Sequence, residues 1–448
     1  MAAPTIVVHY HELWLKGRNR RFFLARMSHA LRSTLEDLGL ERIERPGDRV
    51  LLHFRESGAC RGSGGTTREV PDDAPDATMA EAVARVGRVL GIANFALARS
   101  IDQDALGSDM DELGRVAWEE MAPLKFDSFA VRAKRSDKSF PRDSMEIEKF
   151  VGGYVMDRLR EAGRNVRVRL NDPDITCYIE ITPGPALVYA RRFPGPGGLP
   201  ANSGGRVMCL LSGGFDSAVA AYRMMLRGAH ASFVHFYGGG AQPGESSVHV
   251  ARELARRLVP YQLSANVYLV PLEPIQREIV HRAPEIYRVL LYRRMMMRIA
   301  QRLARRDHAL ALVTGDSLGQ VASQTLQNMV AVGAAVRMPV FRPLAGMDKQ
   351  EIIQMARKIG TYDVSAEPFH DCCPIFMPRR PALYAKTRDL DGAEADLDVV
   401  GLTRAGAASA ALVRLRYANG RVEETESAET IGARKEPVQS ENDTAKVL

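Results

Sequence analysis

The hydrophobic pattern of this chain alternates between short extended runs and helical segments, and two stretches of small and polar residues interrupt it. Residues 57–78 are rich in Gly, Ser, Pro and Asp, which is typical of a loop or linker. Residues 193–200 read FPGPGGLP, which predicts a second linker. The chain also changes character near residue 390. We therefore predict four parts, at 1–78, 79–192, 193–390 and 391–448.

The first two parts predict two small α+β domains, because helical and extended patterns alternate in both. In residues 1–78, extended runs at 5–9 and 49–54 enclose a helical pattern at 22–38. The second part contains three helical patterns and four extended runs. The helical patterns cover 81–90, 111–121 and 144–161, and the extended runs cover 95–100, 128–135, 166–170 and 176–181.

The third part repeats strands and helices, starting from an apolar run at 207–211. Further extended runs cover 231–236, 266–270 and 309–314, and helical patterns cover 247–258 and 286–306. This alternation predicts a parallel sheet of the α/β class, which binds ligands outside the C-terminal ends of its strands. The fourth part is polar and poor in aromatic residues from 422 to 448, which predicts partial disorder.

Composition and charge narrow the class of protein. The 448 residues are 46% hydrophobic and 26% charged, as in globular proteins that are soluble, and they contain no apolar run long enough to span a membrane. The N-terminus lacks the features of a secretory signal, and the five cysteines lack zinc-type spacing. We therefore expect a cytoplasmic protein. The net charge of +7 mildly favours a polyanionic partner.

The sequence from Ser212 to Ser217, SGGFDS, joins the first strand of the third part to a helix that Gly228 ends. Two glycines and the N–H groups of a first helical turn are suited to holding a phosphate. The loop lacks the Gly-Lys-Ser/Thr of a P-loop and the G-x-G-x-x-G of a dinucleotide fold. Because Asp216 would repel a phosphate unless a metal ion bridges them, Mg²⁺ is implied. The alternative is an ordinary strand–turn–helix corner, which this six-residue pattern makes less favourable.

This loop resembles the pyrophosphatase loop of enzymes that split ATP into AMP and pyrophosphate. Over residues 5–385, the chain resembles the tRNA 4-thiouridine synthetase (tRNA sulfurtransferase) family. The resemblance rests on YHELWLKGRNR at 10–20, FAVRAKRSDK at 129–138 and TGDSLGQVASQT at 314–325. It implies an N-terminal ferredoxin-like domain, an RNA-binding THUMP domain and a PP-loop ATP pyrophosphatase domain with an adenine nucleotide alpha hydrolase-like fold. Some members carry a rhodanese domain with its own cysteine. No cysteine follows Cys373, so we expect the form without it.

The loop, the strand ends and the resemblance together predict an ATP site. His235 and Phe236 lie at the end of the second strand, and Gly315 permits close approach of the backbone to a ligand. Gln324 is able to read an adenine edge. The resemblance implies that Arg293 contacts the nucleotide, although a surface salt bridge is an open alternative for it. The expected ATP-binding residues are Leu210, Leu211, Ser212, Gly213, Gly214, Asp216, Ser217, His235, Phe236, Arg293, Gly315 and Gln324.

We expect Asp216, Lys349 and Cys373 to be catalytic. Asp348 and Glu351 form a capping-box pattern, which places Lys349 in a first helical turn, where a cation is favourable only if an anion lies opposite. The resemblance implies that Lys349 is needed for activity and that Cys373 carries the persulfide, with Cys372 as a candidate resolving partner. Cys60 lies in a loop, and the remaining two cysteines, Cys177 and Cys209, lie in strands as small core residues.

A basic surface is expected in the second part. Between residues 131 and 170 there are 11 basic and six acidic residues, and Phe140 and Tyr154 are the aromatic residues expected to be exposed there. On charge alone, an RNA surface and a solvated basic face are equally supported. The resemblance to the THUMP domain favours RNA. The expected RNA-binding residues are Lys16, Arg18, Arg132, Lys134, Arg135, Lys138 and Arg142.

The resemblance implies ATP-dependent sulfur transfer to tRNA, forming 4-thiouridine at position 8 through an adenylated uridine and a cysteine persulfide. ATP and Mg²⁺ are the expected cofactors, tRNA and a cysteine desulfurase the expected partners, and a homodimer the suggested assembly. A role in thiamine biosynthesis stays open. Two other functions are kept as alternatives: a PP-loop amidotransferase or ligase acting on a small molecule, and a non-catalytic tRNA-binding protein.

Overall fold

The computed structural model describes residues 5–55, 60–61, 67–68, 75–102, 110–238, 247–366, 378 and 380–426. The chain divides into two compact units. The first comprises Met1–Ser203 with Ala418–Arg421, and the second comprises Gly204–Tyr417 with Val422–Leu448. Among the described residues, no helix has the length and apolar character that crossing a bilayer requires.

The first unit is built on one nine-stranded sheet in the order β2-β3-β1-β6-β10-β9-β7-β8, with β11 paired to β6. The strands of this sheet are β1 (Thr5–His9), β2 (Leu40–Glu44), β3 (Arg49–Phe54), β6 (Asn94–Ile101), β7 (Ser128–Arg135), β8 (Arg167–Val168), β9 (Ile175–Ile181), β10 (Ala186–Tyr189) and β11 (Phe193–Pro194). Strands β4 (Cys60–Arg61) and β5 (Thr67–Arg68) pair with each other as a separate two-stranded sheet. Its α-helices are α1 (Arg20–Leu35), α2 (Pro75–Val86), α3 (Asp111–Met121) and α4 (Ser144–Glu161), and 3-10 turns lie at Glu12–Asn19 and Glu36–Leu38.

The boundary predicted at residue 78 is wrong. The boundary falls inside helix α2 and before strand β6, yet this helix and this strand complete a βαββαβ arrangement whose strand order, β2-β3-β1-β6, is ferredoxin-like. Strand β6 then continues into the next domain, because it pairs with β1 through its first half and with β10 through its second half. The polar stretch at 57–78 therefore lies within one domain. Its Gly, Ser, Pro and Asp content is the same for a loop inside a domain as for a linker between two domains, so composition does not distinguish them.

A buried ionic cluster joins the two halves of this sheet. Arg49 on β3 is fully buried, and its Nε lies 2.7 Å from Oε2 of Glu180 on β9. The other carboxylate oxygen, Oε1, lies 2.8 Å from Nε2 of His9 and accepts a 2.6 Å hydrogen bond from the Tyr189 hydroxyl. Burial alone would raise the pKa of Glu180, but the hydrogen bond and charge of His9 and the charge of Arg49 lower that pKa to about 2.

The second unit contains a seven-stranded sheet in the order β16-β15-β12-β13-β14-β17-β18. Its strands are β12 (Arg206–Leu210), β13 (His230–Tyr237), β14 (Ser264–Pro271), β15 (Ala311–Val313), β16 (Val340–Phe341), β17 (Ala411–Ala418) and β18 (Arg421–Glu426). Its α-helices are α5 (Phe215–Leu226), α6 (Ser247–Leu258), α7 (Glu273–Arg282), α8 (Arg288–Arg306), α9 (Leu326–Gly333), α10 (Lys349–Lys358), α11 (Tyr362–Ala366), α12 (Thr387–Ala393) and α13 (Val399–Ala408). The five strands from β12 to β16 are parallel, as predicted, and β17 is antiparallel to β14.

The polar tail predicted from residue 391 is also wrong as far as residue 426. Helix α13 and strands β17 and β18 extend the second unit instead. Val413, Leu415 and Tyr417 of β17 are buried, and the residues between them are exposed arginines. A strand that covers a core with one face only has polar residues on its other face, so this segment resembles a polar tail in sequence. Residues 427–448 lie outside the described part of the chain.

The core of the second unit explains where its ligand site lies. Helix α8 packs against β12 and β15, with Leu291, Met295 and Ile299 fully buried along one helical stripe. The polar side of α8 is left free to carry functional groups. Since β12, β13 and β15 are parallel neighbours, their C-terminal ends open at one edge of the sheet beside this helix.

The buried ionic cluster leads to a prediction about pH. A folded-state pKa of about 2, against 4.5 for an ordinary glutamate, gives stability that is present above pH 4.5 and is lost as pH falls towards 2. The shift corresponds to about 3 kcal/mol. We expect Glu180→Gln to lower the Tm of the first unit at pH 7, and the gap from wild type to shrink below pH 4.5.

Tryptophan fluorescence measures this in the intact chain, because both tryptophans, Trp14 and Trp118, lie in the first unit. Glu161→Gln, at a side chain that is 64% exposed, is the control and should leave the Tm unchanged. A gap for Glu180→Gln that stays constant from pH 7 to pH 2 would contradict this account of Glu180.

Candidate nucleotide site

The loop from Ser212 to Ser217, here called the phosphate-type loop, is held in its conformation by hydrogen bonds of its own serine hydroxyl groups. Ser217, which is buried at the start of α5, donates a 2.9 Å hydrogen bond to the carbonyl of Gly214 and accepts one of 3.0 Å from the N–H of Ser212. The Ser212 and Ser217 hydroxyl oxygens lie 3.1 Å apart. Ser212 is exposed, and helix α5 has no side-chain cap at its N-terminus. The loop therefore offers an uncapped helix end, at which backbone N–H groups can bind an anion.

Gly315 packs against this loop. A Cβ atom at position 315 would lie 2.7 Å from the Ser217 nitrogen and 2.9 Å from the carbonyl carbon of Asp216. The sequence predicts that Gly315 allows the backbone to approach a ligand. The close approach in the structure is instead between two loops of the protein, one after β15 and one after β12. The missing side chain thus sets the position of the phosphate-type loop.

Asp216 and Lys349 form an ion pair beside the loop. Lys349 Nζ donates to both carboxylate oxygens of Asp216, at 2.9 and 3.0 Å, and Gln320 Nε2 donates to one of them at 3.1 Å. The ammonium group also lies 4.4 Å from the ring centroid of Phe215. The capping box predicted for α10 is confirmed, so Lys349 does occupy a first helical turn. The anion opposite it is Asp216.

A cleft of about 460 Å³ lies at the C-terminal ends of β12, β13 and β15. Ten of the twelve residues expected to bind ATP line it, the exceptions being Gly213 and Gly214. The expected residues in the lining are Leu210, Leu211, Ser212, Asp216, Ser217, His235, Phe236, Arg293, Gly315 and Gln324. The sequence did not indicate Val234, Val289, Leu290, Tyr292, Met296, Met297, Thr314, Asp316, Val321, Ala322, Ser323, Pro381 and Ala382. Most of these are apolar side chains, which suit the faces of a nucleobase.

His235 is a structural member of the lining. Its side chain is almost fully buried, its Nδ1 lies 2.8 Å from the carbonyl oxygen of Leu211, and its Nε2 lies 3.0 Å from the Ser247 hydroxyl. Both ring nitrogens therefore have partners in the protein. The imidazole holds the end of β13 against the residue that precedes the phosphate-type loop.

Arg293 and Gln324 converge on an acid that the sequence analysis did not select. Arg293 donates a 2.8 Å hydrogen bond to the Ser323 hydroxyl and a second, charge-assisted bond to Asp316. Gln324 Nε2 lies 3.3 Å from the same carboxylate oxygen of Asp316. The sequence signal that could have indicated Asp316 is its position directly after Gly315, close to the end of a buried strand. Arg293 thus does form a salt bridge, but its partner is a buried carboxylate in the wall of the cleft, and its own side chain is 22% exposed.

Two cysteines lie in the core as expected, whereas Cys60, which was expected in a loop, begins the short strand β4. Cys177 and Cys209 are buried, and burial raises the pKa of the Cys177 thiol to about 12 and raises that of the Cys209 thiol as well. Both are core residues. Cys372 and Cys373 lie outside the described residues. Pro381 and Ala382, which follow Cys373 by eight and nine positions, line the cleft.

Several residues expected to bind RNA have partners within the first unit. Arg135 donates to the carbonyls of Phe140 and Arg142, at 2.8 and 3.1 Å, and Arg132 donates to the carbonyl of Leu170 at 2.6 Å. Lys134 is paired with Asp48. Arginine and lysine side chains held in this way present their remaining N–H groups in a fixed direction.

The other expected RNA-binding residues are more exposed, and the two aromatic residues are not as predicted. Lys138, Arg18 and Arg142 are exposed, Arg142 lies 3.7 Å from Glu146, and Lys16 lies 5.3 Å from the Phe23 ring centroid. The predicted exposure is wrong for Phe140, which is 7% exposed, and Tyr154 is half-buried with its ring against Gly114. Both rings belong to the packing of helix α4 and its preceding loop.

Comparison with known proteins identifies the family. The family description "Thiamine biosynthesis protein (ThiI)" matches residues 202–399, the THUMP domain matches 108–191, and the ThiI ferredoxin-like domain matches 5–61. A probable tRNA sulfurtransferase of Thermus thermophilus is 42% identical over 386 residues, which cover 86% of this chain and 87% of that protein. The chain belongs to the tRNA sulfurtransferase family.

Another tRNA sulfurtransferase relative and one solved structure agree with this membership, and a second solved structure shares the fold. A probable tRNA sulfurtransferase of Alkaliphilus oremlandii is 35% identical over 405 residues, covering 89% of this chain and 95% of that protein. The crystal structure of a 4-thiouridine synthetase–RNA complex with bound ATP superposes with a TM-score of 0.76 at 28% identity, covering 95% of this chain and all of that one. PH1313 from Pyrococcus horikoshii Ot3 shares the fold, with a TM-score of 0.57 at 21% identity, over 80% and 99% of the two chains. The expected ferredoxin-like, THUMP and PP-loop domains are confirmed.

The packing of Gly315 leads to a prediction for this tRNA sulfurtransferase. Gly315→Ala would force the loop after β15 away from the start of α5, at a cost of about 1–3 kcal/mol. We expect a lower Tm for the second unit and a clear loss of ATP affinity, measured by calorimetry. Gly346→Ala is the matched control, because a Cβ atom there meets nothing within 4 Å. Wild-type affinity in Gly315→Ala would show that the loop position does not depend on this contact.

Proposed function

We propose that this protein catalyses ATP-dependent sulfur transfer to tRNA and forms 4-thiouridine at position 8. The observation that supports it most strongly is the arrangement of the cleft. An uncapped helix end and the Asp216–Lys349 pair lie at one side of an apolar pocket, and Pro381, soon after Cys373, lies in its lining. Membership of the tRNA sulfurtransferase family supports the same activity.

The first step activates the uridine. The carbonyl oxygen O4 of uracil is a poor leaving group, so O4 attacks the α-phosphorus of ATP and pyrophosphate departs. The N–H groups at the start of α5 stabilise the phosphate charge as it shifts. Lys349 can also stabilise the phosphate charge. It belongs to α10, but its ammonium group contacts Asp216 in the first turn of α5. ATP-binding residues here are the ten that line the cleft, with Gly213 and Gly214 as the backbone of the loop.

Mg²⁺ would fit this cleft if it were held by one carboxylate together with the phosphates of the nucleotide. Among the described residues, no group of three or more His, Cys, Asp or Glu side chains is arranged to hold a metal ion. Mg²⁺ commonly takes one or two carboxylates together with nucleotide phosphates. Asp216, whose carboxylate already attracts Lys349 and Gln320, is the residue that would hold it, and the ion would supply charge to the departing pyrophosphate.

The second step delivers sulfur. Cys373 carries a persulfide that a cysteine desulfurase supplies, and its terminal sulfur attacks C4 of the adenylated uridine. The C4–O bond breaks and AMP leaves. A second thiol then attacks the persulfide S–S bond, so that sulfur stays on uridine and the two thiols end as a disulfide. Cys372 serves as that thiol only with a strained ring, since the two cysteines are neighbours in sequence, and an external thiol is the alternative.

The test of this function measures two products in one assay. Protein, ATP, Mg²⁺, tRNA and a persulfide donor are incubated, and 4-thiouridine is measured by mass spectrometry alongside pyrophosphate. We expect Asp216→Ala to lose both products by roughly 100-fold or more, because the charge balance at the phosphates is removed. We expect Cys373→Ser to lose 4-thiouridine and to keep pyrophosphate release in a single turnover.

Cys372→Ser is the matched control for the sulfur step. If Cys372→Ser abolishes thiolation and Cys373→Ser does not, the two roles are exchanged. Normal thiolation in both variants would mean that sulfide attacks without a cysteine carrier. A wild-type protein that releases no pyrophosphate with tRNA would overturn the proposed function itself.

The first unit is proposed to bind tRNA. Arg18, Lys138 and Arg142 have the exposure that phosphate contacts require, and Lys16 is partly exposed. Arg132, Lys134 and Arg135 would add positive charge held in place by their partners within the unit. Trp14 offers a further contact, since it is 48% exposed and the Arg20 guanidinium lies 3.8 Å from its ring centroid. A ring backed by a cation is suited to stacking on an unpaired base. A homodimer in the cytoplasm stays a prediction from the family resemblance.

The RNA proposal leads to a prediction about salt. Each phosphate contact adds about one unit to the slope of log affinity against log salt concentration. We expect Arg18→Ala with Lys138→Ala to weaken tRNA binding and to reduce that slope by about two units. Arg115→Ala is the control, because acids at positions 112 and 119 already neutralise Arg115. An unchanged slope in the double variant would remove these two residues from the interface.

A further inference from the structure

Phe215 is the first residue of helix α5 and belongs to the phosphate-type loop, but it is not among the residues that line the cleft. Its ring is half-buried, and the ammonium group of Lys349 lies over it, with 4.4 Å between Nζ and the ring centroid. The same Nζ donates hydrogen bonds of 2.9 and 3.0 Å to the carboxylate of Asp216. Two neighbouring residues of α5 therefore attract one ammonium group, one by its negative charge and the other by the face of its ring.

The position of the Phe215 ring is set by packing within the second unit. Tyr362, at the start of α11, lies against it with 5.6 Å between the ring centroids and 38° between the ring planes. The Arg357 guanidinium lies 4.8 Å from the Tyr362 centroid in turn. Helices α5 and α10 also pack against each other, and α10 carries Lys349. The ring and the helix that carries the lysine are thus held together by contacts within the protein.

The two attractions on Lys349 differ in what competes with them. The ion pair with Asp216 is partly exposed, with side-chain exposures of 44% for Lys349 and 24% for Asp216. Asp216 lines the cleft, so the phosphate oxygens of a nucleotide there would compete with its carboxylate for the ammonium group. The face of an aromatic ring attracts cations and repels anions, so phosphate oxygens do not displace Lys349 from Phe215 by binding the ring.

We propose that Phe215 is a positioning residue for Lys349, because its ring keeps the ammonium group at the start of α5 while that group exchanges Asp216 for the phosphates of a nucleotide. Lysine carries its charge on a flexible four-carbon chain, which would otherwise be free to swing into solvent once the carboxylate is lost. Lys349 is itself outside the cleft lining, so its action on phosphates depends on being held beside Asp216. The inference rests on the proposed function, since it takes ATP as the ligand and its activation as the reaction.

Fluorination of the Phe215 ring tests this electrostatic role. Incorporation of mono-, di- and trifluorinated phenylalanine keeps an apolar ring in place and weakens the negative potential of its face step by step. The rate of pyrophosphate release is measured in a single turnover with tRNA and saturating ATP. We expect that rate to fall with each added fluorine, by roughly two- to fivefold over the series, which is the loss expected for a cation–π contact at a partly exposed site. The dissociation constant of ATP should change less, because the charge that Lys349 stabilises grows as pyrophosphate departs.

The same substitutions at Phe233 are the matched control. Phe233 is fully buried in β13 of the same unit and does not line the cleft, so fluorine there tests packing alone and should leave the rate unchanged. Phe215→Leu keeps an apolar side chain and removes the ring, so it should slow pyrophosphate release at least as much as the trifluorinated ring. Equal effects of fluorine at Phe215 and at Phe233 would reduce Phe215 to a packing residue and overturn the inference.

The position of Lys349 is measured separately from activity by NMR. An aromatic ring shifts the signals of groups above its face, so the protons on Cε of Lys349 report the contact in protein made with isotope-labelled lysine. The signal is assigned by its loss in Lys349→Arg. We expect a ring-shifted signal in the free protein that persists with a bound ATP analogue whose α- and β-phosphates are joined by a methylene group, and that Phe215→Leu removes. A signal that loses its shift when the analogue binds would show that the ring releases the lysine.

The outcomes separate this inference from the proposed function. Rates that are unchanged across the fluorinated Phe215 series, in a protein whose wild type releases pyrophosphate normally, overturn the inference and leave sulfur transfer standing. A wild-type protein that keeps the ring-shifted signal with the analogue bound, yet releases no pyrophosphate with tRNA and ATP, overturns the proposed function and supports the positioning of Lys349 by Phe215.

Discussion

The nucleotide cleft depends on the contact between Gly315 and the backbone of Asp216 and Ser217. Two parallel neighbouring strands, β12 and β15, end at this point, and each continues into a loop that carries chemistry. A side chain at position 315 would have to occupy space that the start of α5 already fills. Because the two loops are in van der Waals contact, neither can move without the other. The phosphate groups and the base are therefore held in one frame.

Charge within that frame is balanced before any ligand arrives. Lys349 neutralises Asp216, and Arg293 with Arg342 neutralises Asp316. The first pair is partly exposed, so water and phosphate oxygens can compete for it. The second carboxylate is buried and stays in place. One acid is thus free to exchange partners during a reaction cycle, and the other is a fixed part of the wall.

The sequence identified the Ser212–Ser217 loop, the parallel sheet and ten of the 23 residues that line the cleft, because each depends on a local pattern. Ser212 to Ser217 form a loop whose geometry is set within six residues. Asp316 was missed because its role arises from Arg293 and Arg342, which are distant in sequence, and an isolated acid after a glycine gives no sign of them. The domain boundaries predicted near residues 78 and 390 were wrong for a related reason. Polar residues there indicate exposure to solvent, but they do not indicate which strands pair with one another.

Strand β6 has a mechanical consequence. Its first half pairs with the ferredoxin-like sheet and its second half with the THUMP sheet, and the Arg49–Glu180 ion pair crosses the same junction. A hinge between the two domains would need to break ladder hydrogen bonds and separate a buried pair of charges. The distance between Arg18 in one domain and Lys138 in the other is consequently fixed. Under the proposed RNA binding, an RNA that contacts both residues would be selected by the distance between its phosphates, which depends on helical shape and on no particular base.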